Sequence, residues 1–347
     1  EELLDVVIRE KASDLHITVG IPPKCRVNGE LRDLGDSKYL PDDTNALIIP
    51  IVPEHFQSTL ETKGEVDFSY SIPSLGRYRV NVFKQRGSYA AAIRLVGTTI
   101  PKPEELGIPN SIIELTKRKR GLVLVTGPTG SGKSTTLASL IDVINSNYNT
   151  HVITLEDPIE YLHQHKKSIV NQREIGLDTQ SYGNALRAAL REDPDIILVG
   201  EMRDIDTISI AITAAETGHL VFSTLHTIGA ASTVDRIIDV FPPHQQQQIR
   251  IQLASVLVSV ISQQLIPLSD GKGRVAAFEV MHANSAVKNL IRESKAFQIP
   301  TIIQTNKKMG MQTMDDAIYD LYVNRKIDSE DAIHFAQDPI ALERKLF

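Results

Sequence analysis

The chain has 347 residues, room for one large domain or two ordinary ones, and its 41% hydrophobic content can build a packed core. A net charge of −6 argues against a broad nucleic-acid-binding surface, and no nucleic-acid partner is expected. The single cysteine, Cys25, excludes an intramolecular disulfide framework and any multi-cysteine metal site, and reads as an inert, partly buried residue.

In chain order, residues 1–98 carry short alternating segments. Phe68, Tyr70 and Ile72 share one strand face; Tyr78, Val80 and Val82 share another, with Arg77, Arg79 and Asn81 opposite; Ile93 and Leu95 face away from Arg94. Period-2 patterning of this kind predicts half-buried antiparallel strands. From Thr98 to Pro109 the chain carries Pro101, Pro103 and Gly107, and residues 99–107 read as a linker, because proline removes donors and fixes extended geometry. Residues 108–347 change character. Apolar runs at 121–126, 151–155, 195–199 and 220–224 alternate with helical patterns at 133–147, 181–192 and 205–217. Continuous apolar strands with helical crossovers predict a parallel sheet covered on both faces, an α/β fold. After Pro242 and Pro243 the chain is expected to turn helical. The longest apolar stretch, Leu253 to Ile261, is broken by Ser255 and Ser259 and falls short of the roughly 20 residues a membrane span needs. No transmembrane segment is therefore expected, although work at a membrane face stays open.

Chemistry concentrates where strands end. Gly127, Pro128, Thr129, Gly130, Ser131, Gly132, Lys133 and Ser134, followed by Thr135, match the phosphate-loop pattern in full, between a predicted strand and a predicted helix. The glycines let successive N–H groups turn toward anionic oxygens. Lys133 would reach the β- and γ-phosphates of ATP, and the Ser134 hydroxyl would hold Mg²⁺. In open parallel sheets ligands bind beyond the carboxyl ends of the strands, and the other predicted ends are polar as well: Glu156 to Glu160, then Glu201, then His226. Glu201 is the candidate to hold the metal, directly or through water. Glu160, with Glu156 as second choice, is the candidate to activate the attacking water, and His226 the candidate to sense the γ-phosphate. Each has a structural alternative: acids at a helix N-terminus for Glu156 and Glu160, an ion pair with Arg203 for Glu201, a satisfied structural histidine for His226.

With these motifs in place the chain resembles the hexameric ATPases of the secretion superfamily, and within them the type IV pilus retraction ATPases. Gly127 to Thr135 looks like the family's Walker A loop, Thr154 to Glu160 its Asp box, Asp195 to Asp204 its atypical Walker B, and Gly218 to Thr227 its His box; Ala12 to His16 is also family-like. Leu290 to Ser294 resembles the retraction signature, with Leu in place of Ala, and a single cysteine cannot build the four-cysteine module usual in extension and type II secretion ATPases. The resemblance implies a PAS-like α+β N-terminal domain, a RecA-like P-loop NTPase domain and a homohexamer. It also implies nucleotide held between domains, with arginines of the N-terminal domain completing the site; Arg77, Arg79 and Arg94 are the candidates, against a plain solvated strand face. By the same resemblance the motor is cytoplasmic, peripheral at the inner face of the cytoplasmic membrane, acts on a pilus platform protein there and indirectly on pilin. An extension or secretion ATPase of the same family is the alternative, and a RecA-like nucleic-acid motor a more distant one. A GTPase reading is disfavoured because Asn306, Lys307 and Lys308 are followed by Met309 where a base-reading Asp would stand.

Overall fold

A computed structural model describes residues 2–10, 12–27, 30–72, 75–97 and 99–347. Contacts divide the chain into two units, residues 1–99 with 158–162, and residues 100–157 with 163–347. The segment Pro158–Leu162, which the sequence reading kept with the second part, thus belongs to the first.

Among the described residues the first unit holds a six-stranded sheet. In chain order its strands are β1 (Asp14–Ile17), β2 (Lys24–Val27), β3 (Glu30–Asp33), β4 (Glu65–Ile72), β5 (Gly76–Gln85) and β6 (Ser88–Leu95), arranged β3-β2-β1-β6-β5-β4. All pairings are antiparallel. Alternation explains the faces: Tyr78, Val80 and Val82 are fully buried, whereas Arg77, Arg79 and Asn81 lie on the other side of β5. Helices Glu2–Arg9, Pro41–Ile48 and Glu54–Lys63 belong to the same unit. Cys25 is buried and free.

The second unit is built on β7 (Gly121–Thr126), β8 (His151–Glu156), β9 (Ile169–Glu174), β10 (Ile196–Val199), β11 (Leu220–Leu225), β12 (Leu257–Pro267) and β13 (Arg274–His282), in the order β13-β12-β7-β11-β10-β8-β9. Both faces are covered, which is why the strands read as unbroken apolar runs. Leu122 and Leu124 pack with Leu186, Ile208, Val234 and Leu253 of the helices on one side. Val123 and Val125 pack with Leu137, Leu140, Ile141 and Ile144 of helix Lys133–Asn147 on the other.

The sheet is mixed rather than wholly parallel: β13 runs antiparallel to β12, which itself pairs parallel to β7. The sequence reading carried the helical pattern past Pro243 and so passed over both strands. Helix Pro243–Val256 leads directly into β12 at Leu257 with no intervening glycine or proline to mark the change. The Pro-rich stretch is also less detached than a linker: Leu106 and Ile108 pack into the core beneath β7. Helices Met314–Val323, Ser329–Phe335 and Pro339–Leu346 close a small further core against Ile266 of β12 and Ala277 of β13.

Candidate functional site

β7 ends at Thr126 and the chain turns through Gly127 (φ 141°), Gly130 (φ 79°) and Gly132 (φ 89°) before helix Lys133–Asn147 begins. These angles lie in the left-handed region that only glycine enters without strain. Space forbids side chains as well. A Cβ on Gly127 would collide with the Gln263 carbonyl, and one on Gly132 would lie 2.9 Å from Gln263 Nε2. Lys133 is buried, and its ammonium donates to the carbonyls of Gly127 (2.8 Å) and Pro128 (3.0 Å), which places the charge inside the loop. Among the described residues the buried hydroxyls of Ser131 and Thr126 have no hydrogen-bond partner. Buried hydroxyls are normally satisfied, so a curled glycine backbone, an enclosed ammonium and orphaned hydroxyl groups together fit a bound phosphate. Pro128 and Thr129 form the exposed outer rim, with Gly130; Ser134 and Thr135 open the helix and are partly exposed.

Of the neighbouring parallel strands β11 ends level with β7, and β10 stops two residues short of it. Leu225 of β11 pairs with Thr126, and Val199 of β10 pairs with both Ser223 and Leu155. Beyond Val199 the chain is pinned by Gly200 N donating to Leu155 O (2.7 Å), Thr224 Oγ1 donating to Gly200 O (2.6 Å) and Met202 N donating to Thr224 O (3.2 Å). Glu201 is thereby fixed over the sheet end with its side chain 16% exposed. One carboxylate oxygen meets Arg203 Nε at 2.6 Å and His226 Nε2 at 3.1 Å. Burial pushes the Glu201 pKa up, but hydrogen bonds and charges from Arg203 and His226 outweigh it and hold the carboxyl below its ordinary value. The ion pair with Arg203 that was the structural alternative for Glu201 is present, and His226 joins it. Glu156 closes β8 and accepts from Thr154 Oγ1 (2.6 Å) and Gln172 Nε2 (3.1 Å). Glu160 is exposed in the segment that belongs to the first unit.

The three arginines lie on the polar face of the first unit's sheet. Arg79 stands directly opposite Arg94 across β5 and β6, an arrangement that like charges disfavour unless anions compensate. Arg94 Nε pairs with Asp14 Oδ1 at 2.8 Å, and Arg79 Nε approaches Asp67 at 4.0 Å. Arg77 precedes Arg79 by two positions on the same strand. In the second unit, helix Ser285–Arg292 buries Ile291, and exposes Arg292 and Glu293, whose polar contacts go to nearby Asn289 and Lys295.

Sequence reasoning missed four polar residues here. Tyr182 is half-buried, and its hydroxyl lies against Gly200, where a Cβ would come within 2.8 Å. Burial first, then the charges of Asp157, Glu201 and Glu156, push this phenol well above its usual range, so it stays a neutral donor. Ser262 of β12 accepts from Gly229 N (3.0 Å), and Glu279 of β13 accepts from Ala230 N (2.8 Å), so both hold the turn after His226. Gln263 borders the phosphate loop. For Ser262 and Gln263 the available signal was polar residues inside the apolar run of β12, visible once that run is taken as a buried strand.

Comparison with known proteins places these features. The sequence profile of the type II/IV secretion system protein family matches residues 108–271. A twitching motility protein of Neisseria gonorrhoeae is 48% identical over 91% of this chain and 84% of its own length. A protein of Pseudomonas aeruginosa named type IV pilus retraction ATPase PilT is 47% identical over 97% of this chain and 98% of its own. A crystal structure of the pilus retraction motor PilT with bound ADP superposes with a TM-score of 0.92 at 50% identity, covering 99% of this chain and 98% of that one.

Proposed function

Because the chain belongs to the type II/IV secretion system protein family and is an ATPase of that family, we propose that it is a hexameric motor that uses ATP hydrolysis to retract type IV pili. The observation that carries the reading is the phosphate loop at the end of β7 with Glu201, His226 and Arg203 clustered beyond the adjoining strands. In the proposed cycle the loop N–H groups and Lys133 bind the β- and γ-phosphates, neutralising charge that builds up as the γ-phosphoryl departs. Mg²⁺, when bound, would supply further neutralisation of that charge. Among the described residues no cluster of three or more His, Cys, Asp or Glu side chains could hold a metal alone, so the ion would rest on Ser134, on Glu201 directly or through water, and on the phosphates. Glu201, kept ionised by its partners, is suited to that task. Glu156 or Glu160 would orient the attacking water. His226, tied to Glu201, would respond when the γ-phosphate leaves. Arg77, Arg79 and Arg94 would complete the site of a neighbouring subunit in the ring, using the bidentate geometry arginine offers to phosphate.

No described helix is long and apolar enough to cross a membrane. A peripheral position at the cytoplasmic membrane's inner face, against a platform protein and indirectly pilin, completes the proposal. Lys133→Ala tests it. Hydrolysis should fall at least a hundredfold with the melting temperature retained, and cells carrying only this form should display pili that no longer retract. Near-normal turnover would overturn the site, and loss of surface pili would favour an extension motor.

A further inference from the structure

Strand β12 runs past the end of its neighbour. Ser262 pairs with Thr126, the last residue of β7, so Gln263 already lies beside the phosphate loop rather than beside a strand. There it meets the loop at two places and the following helix at a third. Its carbonyl occupies the space a Gly127 side chain would need, its Nε2 lies where a Gly132 Cβ would come within 2.9 Å, and its Oε1 accepts from Thr136 Oγ1 at 2.8 Å in the first turn of the following helix. Both partners of that bond are almost completely enclosed, Gln263 being 3% exposed and Thr136 1%. A buried amide needs a polar partner, and the Gln263 amide, between Ser262 and Gln264 on β12, finds one in the helix that follows the loop.

We propose that Gln263 is a positioning residue that fixes the curvature of the phosphate loop from behind, touching the loop backbone and Thr136 and leaving the phosphate to the loop itself. The proposal rests on the nucleotide-binding reading of this loop. Its consequence is directional: without the brace, the loop samples other curvatures and fewer of its N–H groups converge on one phosphate at a time, which weakens affinity through pre-organisation.

The test uses the full-length chain as Gln263→Met, Thr136→Val and the double variant, with two readouts. Hydrogen exchange in the nucleotide-free protein should quicken across residues 127–136 in each variant while β7 and β10 keep wild-type rates. ADP affinity should fall about tenfold in Gln263→Met and less in Thr136→Val, which keeps the Gln263 amide against Gly132, and the double should lose no more than Gln263→Met, because the two side chains act through one bond. Exchange unchanged across 127–136, exchange quickened throughout the sheet, or additive losses of affinity would each overturn the brace. If exchange quickens in the loop but even the wild type binds no ADP, the brace stands and the nucleotide reading falls.

Discussion

Glu201 and His163 show how burial sets charge at single positions in the second unit. Glu201 is stabilised as an anion only because Arg203 and His226 outweigh the cost of its burial. His163 has no such help. Burial is the dominant influence, only partly offset by Asp142, and its pKa drops from 6.5 to about 4. Among the described residues its buried Nδ1 lacks a hydrogen-bond partner, in keeping with a ring held neutral. The sign follows. Between about 4 and 6.5 the unfolded chain binds a proton at this position that the folded chain does not, so stability is complete above 6.5 and declines as pH falls toward 4. Urea midpoints measured from pH 7.5 to pH 4.5 should therefore fall for the wild type and fall less steeply for His163→Gln. An identical slope in the variant would place the acid sensitivity elsewhere.

At the scale of elements, caps and crossovers decide where the site's loops stop moving. Asp204, just past Arg203, starts helix Ile205–Glu216 by accepting from Thr207 N at 2.8 Å and Thr207 Oγ1 at 3.0 Å. Asp204→Ala should lose about 1 kcal/mol of unfolding free energy in urea titrations and Asp204→Asn only part of that; equal losses would mean the charge, not the cap, matters. The element pattern also explains what the sequence could and could not disclose. β7, the phosphate loop and helix Lys133–Asn147 were legible because glycines punctuate strand and helix, and the polar ends of β8, β10 and β11 because each follows an apolar run of strand length. β9 escaped because it alternates polar residues at the sheet edge, burying Val170 but exposing Ile169 and Asn171. β12 escaped because Leu253 to Ile261 is one apolar stretch that crosses from helix to strand at Leu257. With β12 unseen, Ser262 and Gln263 had no place beside the site. The placement of Pro158–Leu162 with the first unit was equally hidden, since nothing local to Ile159 tells which core buries it.

At the scale of the whole molecule, the candidate nucleotide-binding elements and the candidate arginines fall in different units. The phosphate loop, Glu201 and His226 lie in the second, and Arg77, Arg79 and Arg94 in the first. The proposed function assigns those arginines to the site of a neighbouring copy, which makes hydrolysis a property of the assembled ring. The most direct test is ATP turnover per subunit across a wide range of protein concentration, with the size of the particles measured at each point. The account predicts turnover that rises steeply and follows the hexamer fraction. A monomer hydrolysing ATP at the full rate would contradict it.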